Sequence, residues 1–458
     1  MMVNQVIESA TTLDGVSVGV ISLGCAKNRI DTETMLASLV RAGCAIVSNP
    51  QDADVIIVNT CGFIASAKEE SVDAILEMVQ HKKSGKCRAL IAAGCLVQRY
   101  ADELAREIPE VNAFVGVTEY PRLAEIVKSA LACDSAGQIA VRSASHCADI
   151  YEGKRILTTQ SSTAYVRISD GCDNRCAYCA IPLIRGAYRS RRYDAVMDEA
   201  RELVSRGVRE IVYIAQDTTR FGEDLEGVRL LPKLLRETAG LSGVEWVRVL
   251  YTYPGRVTDE LLDTIANTPK VCPYLDVPLQ HIDERILSLM NRRQLGETYE
   301  SIKNMLLRAR SMGITLRTTV IVGFPGEGES EFARLLDFVR EMEFDRLGAF
   351  AYSREEDTAA FDMPNQVPED VAARRLDTLM GLQRTISLKR NELRVGSAER
   401  ILLEGENGGV YTGRSMRESP EGDGVIRVRS SCRRNVGSFV NVKITRAMAY
   451  DLEGVLLN

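Results

Sequence analysis

From residue 16 onward, short apolar runs alternate with stretches of helical period. VSVGVISLGC precedes a helix over 29–42, DVIIVNTC precedes one over 64–80, and ALIAAGC precedes one over 97–107. Strand, helix, strand, helix in succession is the pattern of a parallel sheet covered on both faces. Residues 14–131 therefore read as an N-terminal parallel-sheet α/β domain. Residues 132–157 are polar, contain Ser, Thr and Gly, and keep no period, which predicts a crossing linker with one hairpin. The alternation resumes over 158–391 with TAYVRIS, EIVYIAQ, WVRVLYTY, YLDVPLQ, TLRTTVIVGF and DRLGAFAYS, each beside a helical stretch. Six strand–helix units predict a partial (β/α)6 barrel, short of the eight-unit form. After an Arg- and Leu-rich helix over 369–394, residues 394–458 turn to short strands such as GVYTGRSM and SFVNVKIT between Gly-containing turns, a small all-β barrel.

Composition narrows the class. A chain of 458 residues that is 45% hydrophobic can bury several cores, and a net charge of −6 argues against wholesale attraction to nucleic acid. The first residues lack a cationic segment followed by an apolar core, and no apolar run nears the roughly 18 residues of a membrane span. The expectation is a cytoplasmic protein without a membrane partner. Twelve cysteines in a reducing compartment point to metal where they cluster and to small buried side chains where they scatter.

The tightest cluster is SDGCDNRCAYCAIPLIRG, which places Cys172, Cys176 and Cys179 just after the first barrel strand, at the edge where such barrels carry their chemistry. A structural zinc site closes with four protein ligands, and the nearest further candidates are His146 and Cys147, across the linker. Three thiolates instead suit an iron–sulfur cube whose fourth iron is left open to an outside ligand. Tyr178, between two of the cysteines, is placed to stack on an aromatic cofactor.

Cys25, Cys61 and Cys95 form a second set. Each ends a predicted parallel strand, in LGC, NTC and AGC, and strand carboxyl ends in an open α/β sheet line the ligand crevice. Singly each reads as a buried small side chain; together they read as a second three-thiolate cluster. Cys44, Cys87, Cys133, Cys147, Cys272 and Cys432 match no motif and are assigned to packing. His281 stands at a strand end, either facing the site or held as a structural histidine.

The loop CDNRCAYC resembles that of the radical S-adenosylmethionine superfamily, whose cluster holds the methionine moiety of the cofactor on its open iron. By the same resemblance, Gly323 and Pro325 in TVIVGFPGE match the strand end that approaches the adenosine. Gln216 and Asp217 in IAQDT match the edge that holds the methionine amino group. Turn glycine and strand cap are the plain alternatives for these four. The two cysteine sets and the final β-barrel together resemble the methylthiotransferase family over nearly the whole chain: an auxiliary-cluster domain, a radical barrel and an OB-like TRAM domain.

That family has one branch acting on an adenosine beside the transfer-RNA anticodon and another acting on an aspartate β-carbon of the twelfth small-subunit ribosomal protein. SLGCAKNRIDTE, IAQDTTRFG, CAIPLIRG, DVPLQH and AYDLEG resemble the second branch. Residues 396–458 carry nine Lys or Arg against eight Asp or Glu, a weak footprint for RNA. Arg427, Arg429, Arg433 and Arg434 form either a local basic patch or a solvated strand face. An aspartate β-hydrogen is not acidic enough for general-base removal, so a hydrogen atom must be taken.

The resemblance implies two 4Fe-4S clusters, S-adenosylmethionine as radical source and methyl donor, and sulfur carried on the N-terminal cluster. No side chain is then assigned a catalytic role of its own. The implied partners are the ribosomal protein, free or on the small subunit, a flavodoxin-type electron donor and a sulfur donor, with room for RNA contact through the TRAM domain. An RNA-binding or scaffold protein with structural clusters is the alternative of another class.

Overall fold

The computed structural model describes residues 12–132, 139–141, 150, 154–430 and 433–457. Cys133, His146, Cys147 and Cys432 lie outside them. The chain divides into two compact units, Met1–Thr158 with Ala180–Ala187, and Thr159–Cys179 with Tyr188–Asn458.

The first unit is built on six strands: β1 (Ser17–Ser22), β2 (Ala45–Ile46), β3 (Val55–Thr60), β4 (Ala89–Gly94), β5 (Ala113–Val115) and β6 (Ile139–Val141). They pair in the order β2-β1-β3-β4-β5-β6, every pair parallel. β3 and β4 are buried at every position, as strands covered on both faces require. Because successive strand residues face opposite sides, Val55, Ile57 and Ile91 pack with Met35 and Leu39 on one face, while Ile56, Val58 and Leu90 pack with Ile75, Val79 and Leu104 on the other. Each such side chain contributes roughly 1.5–3 kcal/mol by leaving water. Of the segment 132–157, where one hairpin is expected, residues 133–138, 142–149 and 151–153 lie outside the described residues. The apolar triplet Ile139–Val141 pairs in parallel with β5, using the open ladder groups of that edge strand.

The second unit begins with β7 (Thr163–Arg167) and a short antiparallel pair, β8 (Ser169–Asp170) with β9 (Arg189–Ser190). β10 (Glu210–Ile214), β11 (Trp246–Val249), β12 (Tyr274–Asp276), β13 (Thr315–Val322) and β14 (Arg346–Ala351) complete six parallel barrel strands. They form two three-stranded halves joined by a parallel bridge between Val247 and Val271. After the helix Glu369–Glu392 come β15 (Ala398–Asn407), β16 (Val410–Arg414), β17 (Ile426–Arg429), β18 (Phe439–Ala447) and β19 (Leu452–Leu456). These close into a barrel in the order β15-β16-β17-β19-β18 around Ile401, Leu403, Ile426, Val428, Val442 and Ile444. Arg427 and Arg429 alternate with those buried residues and point outward, and Arg427 pairs with Asp451 at 2.8 Å, so this strand face is solvated and partly neutralised.

The loop between β16 and β17 runs into the amino-terminal ends of the parallel strands and closes the barrel floor with charge. Arg414 Nη2 meets Glu210 Oε2 at 2.6 Å, and Arg248 donates to Glu210 Oε1 at 3.0 Å and to the Met416 carbonyl at 3.0 Å. Glu418 accepts from Arg346 at 3.0 Å and from Arg394, and Tyr274 donates its hydroxyl to Asp423 at 2.6 Å. Trp246 sits edge-on to Phe439 with centroids 4.8 Å apart. Among the described residues no helix is long and apolar enough to cross a membrane.

Candidate functional site

With the floor closed, the carboxyl ends of the parallel strands carry the cysteine loop. Between its cysteines, Asp173, Asn174, Arg175 and Ala177 are each tied to a neighbouring segment. Asp173 accepts from the Tyr188 N–H at 3.0 Å. Buried Asn174 donates to Asp217 Oδ2 at 3.0 Å and accepts from Arg256 at 2.9 Å, and Arg256 itself reaches Asp217 at 3.1 Å, closing a triangle. Arg175 takes a φ of +45°, and its carbonyl is held by Asn291 at 2.9 Å. The Ala177 N–H donates to Met290 O at 2.9 Å, while its carbonyl accepts from Ala360 at 2.8 Å. The Cys179 N–H turns back on the Cys176 carbonyl at 3.0 Å. Arg292, buried, places Nη1 3.7 Å from Cys176 Sγ and Nη2 2.5 Å from Pro278 O, with its plane 4.2 Å over Tyr253.

The electrostatics suit ligation. Burial pushes the Cys172 thiol up to about 12, the Asn174 N–H opposing it and Cys176 and Asp217 adding to it. A thiol held that high keeps its proton at neutral pH until a metal displaces it. Among the described residues no three His, Cys, Asp or Glu side chains close around a single ion. A cluster that brings its own bridging sulfides needs only one thiolate per iron, and a buried guanidinium beside Cys176 complements the negative charge of such a group.

The residues expected to meet the cofactor fall into two kinds. Gln216 keeps Oε1 buried and without a partner while Nε2 donates to Asp170 at 3.3 Å, so it has an acceptor free for an ammonium group. Tyr178 lies edge-on to Phe324 at 6.5 Å, and Phe324 lies edge-on to Tyr352 at 5.3 Å, an aromatic wall beside the loop. Asp217 is different: fully buried, its carboxylate is taken by Asn174, Arg256 and the Thr219 N–H, which makes it a brace of the cysteine loop. Gly323 is set by packing. Its φ is +74°, its N–H donates to Glu327 Oε1 at 3.0 Å, and a Cβ there would come within 2.5 Å of the Ala372 Cβ. Pro325 follows it, buried. Gly323→Ala is expected to cost about 1–2 kcal/mol in backbone strain and about 1–3 kcal/mol in overpacking. A drop in melting temperature of the metal-free chain measures it. His281 is fully buried, with Nδ1 accepting from the Asp283 N–H at 2.9 Å and Nε2 3.4 Å from Glu327 Oε2 without a hydrogen bond between them.

In the first unit, Cys61 and Cys95 directly follow β3 and β4, and Cys25 stands three residues beyond β1. Gly62 packs on the backbone of Cys95 and Leu96, where a Cβ would approach Leu96 to 2.7 Å, so the second and third strand ends converge. Asn28 stitches the set. It donates to Thr60 O at 2.9 Å and to Leu23 O at 3.3 Å, and its Oδ1 accepts from Arg185 at 3.0 Å and from Cys95 Sγ at 3.3 Å. Burial pushes Cys95 up to about 12, with Arg185 opposing and Cys25 and Cys61 adding, so the three thiols feel one another. Burial also raises Cys61, with the Phe63 N–H opposing. Arg185, from the helix Ile181–Arg185 of the same unit, reaches Asp31 at 2.5 Å and Cys95 Sγ at 3.6 Å. Cys44, Cys87 and Cys272 are buried apart from both sets, as packing residues are.

Asn28, Asn174, Arg185, Arg256, Asn291 and Arg292 have no expectation attached to them in the sequence. The one local signal was the IPLIRG stretch directly after the cysteine loop, which carries Arg185.

A six-strand parallel barrel with three cysteines on the loop after its first strand defines a radical SAM protein, and the model of the radical SAM superfamily matches residues 166–339. The TRAM domain matches residues 395–457, and the uncharacterized protein family UPF0004 matches 17–116. The ribosomal protein uS12 methylthiotransferase RimO of Clostridium kluyveri is 46% identical over 97% of this chain and 99% of its own length. That of Symbiobacterium thermophilum is 48% identical over 96% and 90%. The chain belongs to the RimO family of ribosomal protein uS12 methylthiotransferases, enzymes of the radical SAM class, which work with a 4Fe-4S cluster and S-adenosylmethionine. A solved radical S-adenosylmethionine methyltransferase, TsrM from Kitasatospora setae, superposes with a TM-score of 0.53 at 14% identity, covering 87% of this chain and 81% of its own, a likeness of fold.

Proposed function

We propose that the chain methylthiolates the β-carbon of an aspartate in ribosomal protein uS12. On this reading Cys172, Cys176 and Cys179 hold one 4Fe-4S cluster, and Cys25, Cys61 and Cys95 hold a second. The observation that carries it is the pairing of two three-thiol sets, each at strand carboxyl ends of its own parallel sheet. When bound, the clusters and S-adenosylmethionine supply the electron, the hydrogen-abstracting fragment, the methyl group and the sulfur.

The chain supplies placement. The Asn174–Asp217–Arg256 triangle and the Asn291 and Met290 contacts fix the cysteine loop. Gln216 Oε1 offers an acceptor for the methionine amino group, and Tyr178, Phe324 and Tyr352 shield the site from water. Asn28 and Ser71 hold the backbone beside Cys61, Ser71 Oγ accepting from the Cys61 N–H at 2.9 Å. A flavodoxin-type reductant and an external sulfur donor complete the reaction, in the cytoplasm, with uS12 free or on the small subunit. The near-neutral final barrel favours the protein substrate over RNA. Reconstituted enzyme offered uS12 and, separately, anticodon-arm RNA should add a methylthio group, read by mass spectrometry, to the protein. Modification of the RNA alone overturns the assignment.

A further inference from the structure

Each cysteine set lies against one buried arginine, and the two arginines differ in their counterion. Arg292 touches Cys176 Sγ at 3.7 Å and is otherwise held by a carbonyl and an aromatic face. Among the described residues no carboxylate pairs with it, and no carboxylate is among the leading influences on it. A buried cation without a carboxylate is costly and calls for an anion. Arg185 touches Cys95 Sγ at 3.6 Å, yet it is paired at 2.5 Å with Asp31, itself buried. The charge of that pair cancels.

We propose that Arg292 and Arg185 are the positioning residues of the two cysteine sets: each fixes one ligand sulfur through an N–H···S contact, and only Arg292 adds an uncompensated positive charge. The proposal rests on the reading that both sets hold a cluster. Hydrogen bonds to the sulfurs and net charge are the protein's means of setting a cluster's potential. A cation beside Cys176 favours the reduced, more negative state, so an external one-electron donor loads that cluster more easily. Asp31 removes this bias at Cys95. Arginine suits both places because its planar fork is rigid and keeps its proton.

The test uses the full chain, reconstituted with iron and sulfide without oxygen and titrated with dithionite while the clusters are followed by electron paramagnetic resonance. Arg292→Gln should move one midpoint potential negative, and Arg292→Lys should restore part of the shift. Asp31→Asn, which unmasks Arg185, should move the other midpoint positive. The double variant Asp31→Asn/Arg185→Gln, which removes both members of the pair, should return it near its starting value. An Arg292→Gln chain that folds, by circular dichroism, yet takes up no iron at its set also supports the positioning role. Full loading with every midpoint unshifted overturns the proposal. Iron content in the unaltered chain separates the two readings: about eight irons per chain fits two clusters, whereas about four refutes the two-cluster reading and leaves the Arg292 shift to be judged alone.

Discussion

Cys176→Ala is expected to abolish 5'-deoxyadenosine formation, whereas Cys61→Ala retains part of it and forms no methylthiolated product. The two positions are chemically alike, so the contrast isolates the set each belongs to. Cys176 lies within the loop braced by Asn174, Asn291 and Met290, through contacts that do not involve its sulfur. Its removal should leave the loop folded and the barrel intact. Cys61 is held through its backbone by Ser71, a contact that alanine keeps. Loss of function in either variant therefore reports a lost ligand rather than a lost fold. Quantifying deoxyadenosine and modified peptide in one reaction by mass spectrometry decides it. A Cys61→Ala chain that still methylthiolates uS12 normally would refute the assigned division of labour.

What the sequence made legible follows the range of the interactions involved. Cys172, Cys176 and Cys179 sit within eight consecutive residues, so local spacing alone names them. Cys25, Cys61 and Cys95 could be grouped from sequence because each follows a strand, β1, β3 or β4, and a parallel sheet gathers carboxyl ends at one edge. The residues that hold these cysteines were not. Arg256 meets Asn174 across 82 positions, Arg292 meets Cys176 across 116, and Arg185 meets Asp31 across 154. Each is one charged residue among many, and no local period marks it. Asp217 shows the limit from the other side. Its place at a strand end invited a ligand role, but burial obliges it to satisfy Asn174 and Arg256 first. The missed strand β6 is a matter of weak signal, because three residues cannot display a period, and its pairing is decided by the open edge of β5.

The floor of the barrel shows the same limit and carries the second large effect. Glu210 opens β10 and Arg414 ends β16, 204 positions away; in sequence each looks like a solvated strand end, yet both are almost wholly buried. Burial alone would raise the Glu210 carboxyl, but Arg414 and then Arg248 outweigh it and hold it down from its ordinary 4.5 to about 2. Arg414→Met is therefore expected to cost about 3–5 kcal/mol, because Arg248 alone is left to balance a carboxylate with no access to water. Pairing it with Glu210→Gln should recover much of that loss. The pH dependence gives a second reading. With the folded value below the unfolded one, the pair's contribution is full above pH 4.5 and is lost as pH falls toward 2, on the order of 3 kcal/mol. Arg414→Met should flatten that part of the profile. Urea or thermal unfolding followed by Trp246 fluorescence measures both, since this single tryptophan packs on Phe439 where the two barrels meet. If Arg414→Met unfolds like the unaltered chain, the final barrel is a detachable module. If it unfolds as expected, deleting residues 394–458 uncovers Glu210, Arg248 and Trp246, and loss of activity in such a truncation reports a broken barrel floor before it reports lost substrate binding.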